Sequence, residues 1–268
     1  HVGLRAGSRL VSFSFATVAA LLLSGLIGVS LGLLGGGGSI LALPVLVFVA
    51  RLDPRQAVAM SLAIVGATSL TASLLHRRSG RVDTRVGALF GGVGLPAAFL
   101  GARLTHLLEP RTLLLCFAVL MLVVGSVMVV RALREPRGGA PARERHPVAV
   151  VVAGAGVGFL TGFLGIGGGF LIVPALTLFA GLAMPVAVGT SLLVIAFNCA
   201  AGFIGHLNTA TVPIVPTILF TAMAIAGGVF GERMAGRTSP RRLRRAFGIF
   251  VILLGIYVLV RNLHAVAP

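Results

Sequence analysis

Long apolar stretches, separated by short segments that contain polar residues and arginine, follow one another along almost the whole chain. Eight of them have or approach the length of a membrane span: residues 10–34, 60–75, 86–108, 113–130, 148–164, 186–205, 212–230 and 247–260. A helix needs roughly 20 mostly apolar residues to cross the hydrocarbon core, and fewer where it is packed among neighbours. A membrane β-barrel would instead alternate apolar and polar residues in segments of about ten. The pattern therefore predicts an all-α polytopic membrane protein.

The second half of the chain repeats the first at a shift of 130 residues, which aligns Pro44 with Pro174 and His76 with His206. One ungapped shift holds through both halves, as expected of a duplicated unit. We therefore predict a first transmembrane repeat over residues 10–131 and a second over residues 148–262. The segment between them, residues 132–147, is polar and rich in Pro, Gly and Arg, which predicts a linker.

Each repeat is predicted to contain five helical elements, the second of which is too short to span the membrane. These short elements, residues 40–50 and 170–181, each follow a cluster of glycines. A helix of about 12 residues is only ~18 Å long, against a hydrocarbon core of roughly 30 Å. We expect either a half-helix that begins near the middle of the membrane or a tilted, buried helix. Pro44 and Pro174 are expected in its first turns, where a missing N–H costs little.

The arginines predict how the two repeats are oriented. All 22 basic residues are arginine and the formal net charge is +16, which on a soluble protein would suggest nucleic-acid binding. In this chain the arginines lie in short loops between the predicted spans, where setting the orientation of the helices in the membrane is favoured over nucleic-acid binding. Residues 77–85 contain four arginines and their counterpart, residues 207–211, none, whereas six lie from Arg233 to Arg245. Because each repeat contains an odd number of elements, the second repeat is expected in the opposite orientation to the first. The asymmetry predicts inverted repeats in a bacterial-type plasma membrane, with a cytoplasmic linker and both termini outside.

Two glycine clusters, Gly35–Gly38 and Gly165–Gly169, interrupt the apolar pattern at matched positions. Consecutive glycines make a poor helix, and the N–H and C=O groups they expose are costly in lipid unless they face protein or a water-filled cavity. These amides precede a short helix, whose positive N-terminal end favours an anion. The alternative is a purely structural break. Further upstream, glycines spaced by four, such as Gly28 and Gly32, are typical of close helix packing.

Polar side chains after the short elements complete the predicted anion site. The predicted contacts are Gly35, Gly36, Gly37, Gly38, Ser39, Ser61, Thr68, Gly165, Gly167, Gly168, Gly169, Thr190, Ser191 and Asn198. The hydroxyls can donate to an anion or bond a carbonyl of their own helix, and the Asn198 amide is expected to face the bundle interior. A proton or anion pathway is the hypothesis for His76, His206, Arg103 and Arg233, with interfacial, structural or snorkelling roles as the alternative.

The acidic residues argue for an anionic substrate and against an enzyme. There are six, and none lies in the middle of a predicted span, so the carboxylate relays of cation and proton pumps are missing. No grouping of His, Cys, Asp and Glu on one span suits catalysis or metal binding, so no catalytic residue, metal or cofactor is predicted. The sequences GGGGS and GIGGGF lack the Lys-Ser/Thr of a phosphate-binding loop.

The doubled glycine motif resembles the sulfite exporter TauE/SafE family, also called the sulfonate uptake permease family. The resemblance covers nearly the whole chain outside the linker and rests on GGGGSILALP (35–44), GIGGGFLIVP (165–174), AVAMSL (57–62), AVGTSL (187–192), GARL (101–104) and GERM (231–234). It implies transport of small sulfur-containing anions such as sulfite or organosulfonates. We interpret the chain as a secondary transporter and exporter, and the inverted repeat gives the hypothesis of alternating access. The implied surroundings are a lipid bilayer without nucleic acid, and a homo-oligomer is left open. The rivals are an anion channel and an integral-membrane enzyme.

Overall fold

All regular secondary structure in the described part of the chain is helical. The computed structural model describes residues 15–104, 110–134, 147–164, 169–206 and 212–264. The helices are α1 (Phe15–Leu34), α2 (Ser39–Pro44), α3 (Pro54–Arg78), α4 (Thr84–Leu104), α5 (Pro110–Arg134), α6 (Pro147–Leu164), α7 (Gly169–Leu178), α8 (Met184–His206), α9 (Ile214–Arg237) and α10 (Pro240–His264). A 3-10 turn, Gly36–Gly38, precedes α2, and a π-helical turn, Val45–Val49, follows it. The predicted all-helical class is confirmed.

Five of the described helices are long and apolar enough to cross a membrane. The stretches that qualify are Gln56–Arg78, Thr84–Gly101, Met184–Ile204, Ile214–Arg237 and Pro240–Val260. At α1 and α6, where the sequence also predicts spans, the apolar stretches among the described side chains are Ala19–Leu34 and Val148–Thr161. Large apolar side chains such as Phe99, Phe197 and Phe230 are exposed on the outer faces, as expected where the helices contact lipid. The chain is therefore an integral membrane protein.

Each of these long helices packs against a helix from the other half of the chain. The pairs are α1 with α9, α4 with α6, α5 with α10 and α3 with α8. Helices α3 and α8 run antiparallel, since Leu62 lies beside Gly202 while the Ser73 hydroxyl lies 3.4 Å from the Gly189 carbonyl, to which it donates. The two halves are thus interleaved and do not form two separate bundles.

Glycines allow the closest of these helix contacts. A Cβ atom on Gly28 would meet the Ala224 carbonyl, and one on Gly158 would meet the Gly94 carbonyl. A shift of 130 residues relates the positions of these two pairs. Helices in lipid gain little from burying apolar surface against each other, so close packing at small residues holds them together. The packing role predicted for the upstream glycines is confirmed.

The short helices predicted after the two glycine clusters are present. Helix α7 is buried from Gly169 to Thr177, and in the first half the 3-10 turn, α2 and the π-helical turn form one continuous irregular helix. Both short helices end in the same way. The Ala50 amide donates to the Val45 carbonyl (3.0 Å), and the Ala180 amide donates to the Ala175 carbonyl (3.3 Å).

The two prolines lie deeper in these helices than the sequence suggests. Pro44 ends α2 and is followed directly by the π-helical turn, and Pro174 is inside α7. Proline lacks the N–H that would bond the carbonyl four residues earlier, and its ring crowds that carbonyl. The predicted first-turn placement is therefore wrong.

The turn after each short helix contains one residue in the left-handed region. In the second half it is Gly181, with φ of 64°, and at the matched position in the first half it is Arg51, with φ of 55°. A non-glycine residue pays about 1 kcal/mol or more for this conformation.

We predict that Arg51→Gly stabilises the protein by about 0.5–1 kcal/mol, because glycine adopts this conformation without steric strain. The midpoint of thermal unfolding in detergent should rise. The reciprocal change Gly181→Ala should lower the midpoint, and a midpoint that is unchanged or lower in Arg51→Gly would contradict the prediction.

Candidate functional site at the glycine breaks

The first glycine cluster ends α1 and begins the short helix after it. Gly35 has φ of 76° and ψ of −124°, a conformation open mainly to glycine, while its amide still donates to the Leu31 carbonyl (2.8 Å). Gly36–Gly38 then form a buried 3-10 turn. The first amides of such a turn have no earlier carbonyl within it to bond. Those of Gly36 and Gly37 donate to no other group in the described ranges.

The glycine cluster Gly35–Gly38, called the first break from here on, contacts the start of the second short helix inside the protein. A Cβ atom on Gly36 would collide with the carbonyl of Gly169, the first residue of α7. One on Gly169 would lie 2.7 Å from the Ser39 hydroxyl and 3.1 Å from Cδ1 of Ile195. The Ser39 hydroxyl donates to the Gly36 carbonyl (2.7 Å). Three of the predicted site residues are therefore brought together, with backbone directly against backbone.

Two predicted hydroxyls bond within their own helices. Ser191 is fully buried beside the break, with its Oγ 2.7 Å from a Cβ placed on Gly35, and it donates to the Val188 carbonyl (2.8 Å). Ser61, at the matched position of α3, donates to the Val58 carbonyl (2.8 Å). The internal hydrogen bond is thus the arrangement observed for both. To donate to an anion, either hydroxyl must exchange this bond for a new one.

Thr68 and Asn198, which match at the 130-residue shift, each contain a buried oxygen without a hydrogen-bond partner among the described residues. The atoms are Oγ1 of Thr68 and Oδ1 of Asn198. Such groups are uncommon, and each one calls for a bound water, an ion or a functional role. Thr190 is different, because its Oγ1 accepts a hydrogen bond from the Asp83 amide (2.9 Å). That bond ties the start of α8 to the turn between α3 and α4.

The remaining predicted residues lie elsewhere or outside the described ranges. Arg103 is exposed, with its guanidinium 4.7 Å from the centre of the Phe99 ring, and Arg233 is exposed as well. This exposure agrees with the snorkelling alternative for both. Outside the described residues lie Gly165, Gly167, Gly168 and the side chain of His206.

His76 lies inside the protein and not at its surface. It is 0% exposed, and its Nε2 is 3.1 Å from the Gly32 carbonyl of α1. The other ring nitrogen, Nδ1, is buried without a hydrogen-bond partner in the described part of the chain. The imidazole therefore joins α3 to the last turn of α1 through one nitrogen and leaves the second unused.

An ion pair that the sequence reading does not anticipate connects the α3–α4 turn to α9. Nη1 of Arg81 lies 3.8 Å from Oε1 of Glu232, and the Ser79 hydroxyl donates to the same oxygen (3.4 Å). From the sequence, loop arginines indicate topology, and Glu232 is expected to pair locally with its neighbour Arg233. Only the packing of α3 beside α9 brings Arg81 and Glu232 together, and no local pattern marks it.

Aromatic residues of α10 complete the surroundings of the first break. A Cβ on Gly37 would lie 3.1 Å from Cε1 of Phe250 and 3.8 Å from Cε2 of Phe247. Sequence reasoning misses both, since an apolar residue in an apolar helix has nothing to distinguish it. Among the described residues, no three His, Cys, Asp or Glu side chains lie close enough to hold a metal ion. What the arrangement offers is hydrogen-bond donors in an apolar setting.

We predict that Gly36→Ala destabilises the protein by about 1–3 kcal/mol or prevents folding, because the methyl group would overlap the Gly169 carbonyl. Gly156→Ala is the matched control, since a Cβ there has no heavy atom within 4 Å. Thermal unfolding in detergent should show a lower midpoint for Gly36→Ala alone. Equal midpoints for the two variants would show that the breaks do not pack against each other.

Known proteins are similar to this chain over almost its full length. The family model described as sulfite exporter TauE/SafE matches residues 20–258. A probable membrane transporter protein of Xylella fastidiosa (strain 9a5c) is 38% identical over 89% of this chain and 93% of its own length. YunE of Bacillus subtilis (strain 168), also named a probable membrane transporter protein, is 26% identical over 91% and 98%. MJ0441 of Methanocaldococcus jannaschii, named likewise, is 23% identical over 93% and 98%.

Proposed function

The chain belongs to the sulfite exporter TauE/SafE family, and on that premise we propose that it is a secondary, ATP-independent exporter of small sulfur-containing anions such as sulfite or organosulfonates. The observation that carries the proposal is the contact of the first break with α7, where the amides of Gly36 and Gly37 are unused. The relatives are named as membrane transporters without a substrate. The substrate class is taken from the family description.

The chemistry of the break suits an anion with several oxygens. Backbone amides only donate hydrogen bonds, and the oxygens of a sulfite or sulfonate group only accept them when ionised. Amides at the start of a helix add the positive end of its dipole. Glycine leaves them accessible to a ligand, because no side chain covers them. We assign the side chains of Ser61, Ser191, Thr68 and Asn198 to the surroundings of the bound anion, with Thr190 at the edge of this group.

We infer that the two halves are inverted repeats, with eight full spans and two short helices. Matched helices pack antiparallel, α3 on α8 and α5 on α10. In the second pair Gly125 lies against Gly248, and Gly255 lies against Ala118, and a shift of 130 residues relates the positions of these two contacts. Together with the arginine asymmetry, this supports a cytoplasmic linker and external termini in a bacterial-type inner membrane.

The closed state of the first break supports our proposal of transport by alternating access. The amides of Gly36 and Gly37 are buried against α7 and the rings of α10, so an anion reaches them only when these elements separate. Rocking of the interleaved halves would open the break first to one side and then to the other. We assign His206, Arg103 and Arg233 to the ends of this path.

A channel and an enzyme are the two rivals. A channel would pass an anion current that rises in proportion to voltage and does not saturate with concentration. A carrier saturates and exchanges labelled for unlabelled substrate. The family relationship favours transport over catalysis.

We predict that purified protein in proteoliposomes takes up at least one anion from a panel of sulfite, thiosulfate, sulfoacetate and taurine, with saturation. Gly37→Ala should weaken binding at least about tenfold, since its methyl group would cover the neighbouring amides, and one lost charge-assisted hydrogen bond is worth about 1.5–3 kcal/mol. The Phe250 ring it approaches at 3.1 Å can shift. Gly156→Ala, far from the break, should transport like the wild type.

Two results would count against this function. If none of the four anions enters faster than into empty liposomes, the proposed substrate class is wrong. If uptake occurs but Gly37→Ala retains the wild-type affinity, the anion does not bind at the first break.

We predict that cysteines in the linker and in the α8–α9 loop are labelled from opposite sides of the membrane. The background is a chain without Cys116 and Cys199, replaced by Ser and Ala. Ala140→Cys should react with an impermeant maleimide only in inside-out vesicles. Thr209→Cys should react in intact cells. Labelling of both from the same side would rule out the inverted arrangement.

A further inference from the structure

We propose that His76 couples transport to protons, by carrying one proton at Nδ1 together with each anion. This inference rests on the proposed function and names a residue that the anion site alone does not require. It begins from the unpaired Nδ1 of a side chain that is 0% exposed.

The hydrogen bonds of the imidazole leave one position for a proton. Nε2 lies 3.1 Å from the Gly32 carbonyl, an acceptor, so this nitrogen carries its hydrogen. In the neutral ring Nδ1 is then an acceptor, and no donor meets it among the described residues. Protonation turns Nδ1 into a second donor, which needs an acceptor of its own. An anion brings that acceptor.

The ring lies close to the first glycine break. Gly32 is three residues before Gly35, about 4.5 Å along α1. On the side of α8, a Cβ on Gly189 would lie 2.9 Å from the Cβ of His76. Two residues further along α8, Ser191 borders Gly35. His76 is thus held between α1 and α8, next to the elements that form the break.

The described charged groups on α1, α3, α8, α9 and the α3–α4 turn, which surround His76, are paired, hydrogen-bonded or exposed. Helices α1 and α8 contain no Asp, Glu, Lys or Arg. On the α3–α4 turn, Asp83 accepts a hydrogen bond from the Val86 amide (3.0 Å), and Arg81 pairs with Glu232 of α9. The arginines nearby on α3 and α9 are exposed: Arg77, Arg78, Arg233 and Arg237.

Moving an anion into this setting is costly unless a positive charge accompanies it. The imidazolium of His76 supplies that charge. The proton enters from water on one side and binds Nδ1, and the anion then binds. Both leave on the other side, and the ring returns to its neutral form. No covalent bond other than N–H forms or breaks.

The 130-residue shift does not repeat this charged pair in the sequence. The 130-residue counterparts of Arg81 and Glu232 are Thr211 and Ala102, which are uncharged. The Arg81 amide donates to the His76 carbonyl (2.8 Å), and Glu232 pairs with the Arg81 side chain, so one charge of each sign lies beside the helix end that carries His76. The carboxylate favours the imidazolium and the guanidinium opposes it. This difference assigns the proton to His76 and not to His206.

The test is accumulation driven by a pH gradient, in proteoliposomes whose voltage is clamped with potassium and valinomycin. The probe is whichever of sulfite, thiosulfate and sulfoacetate the wild type exchanges, and uptake into empty liposomes is subtracted. With the voltage held at zero and one proton moved per anion, a one-unit gradient should give about tenfold accumulation of the transported anion on the alkaline side. His76→Gln keeps an N–H for the Gly32 carbonyl but cannot titrate. It should exchange labelled for unlabelled anion only at a higher anion concentration and should lose the accumulation, whereas Arg78→Gln should keep both.

Two further variants test the proposal without changing the ring. Glu232→Gln removes the charge that favours the imidazolium, so the pH of half-maximal uptake should fall. Arg81→Gln removes the opposing charge, so this pH should rise. A purely structural role of the ion pair would alter both variants alike, because each breaks the same contact.

Three results would overturn the inference. The first is a wild type that exchanges the anion but ignores the pH gradient. The second is a His76→Gln variant that accumulates the anion like the wild type. The third is a shift of the Glu232→Gln and Arg81→Gln profiles in the same direction, or no shift. A wild type that exchanges none of the three anions would instead overturn the proposed function.

Discussion

Backbone amides and carbonyls cannot be left facing lipid, and this constraint governs the structure wherever a helix is interrupted. The chain interrupts its helical pattern with glycines at matched positions and answers the constraint by burying the first break against the start of α7. Gly36 and Gly169 are 133 positions apart in the sequence, and they can meet only if the helices of one half cross those of the other. The pairing of α1 with α9 and of α4 with α6 follows from this requirement.

Charge is distributed unequally over this repeated scaffold. The ion pair of Arg81 and Glu232 joins α3 and α9 at one end, while the matched positions in the other repeat are uncharged. If the two halves carried the same charges, the outward-open and inward-open states of the proposed transporter would be equal in energy. An ion pair beside the buried His76 would make these two states differ in energy and in their response to pH. In the proposed transporter, this difference determines on which side proton and anion bind together.

The sequence predicts the features that depend on local pattern and on the repeat. The length of the apolar stretches predicts the long helices, and the 130-residue shift predicts the two short helices and the glycines at helix contacts. The sequence does not predict which elements become neighbours, so the contacts of Phe250 with Gly37 and of Arg81 with Glu232 are not predicted. The position of Pro44 within its helix is also misjudged. The helix continues past the proline through a π-helical turn, and intrinsic propensity would not predict this.

The helix contacts themselves suggest which parts of the proposed transporter move. Glycine contacts such as Gly28 on Ala224 bring smooth backbone surfaces together. The contact of α10 with α5 is fixed at one end by Arg241, whose guanidinium donates to the carbonyls of Ala132 (2.7 Å) and Leu133 (3.1 Å). These bonds cap the end of α5. We therefore expect α5 and α10 to hold their position while α1 and α9 move past them and open the break.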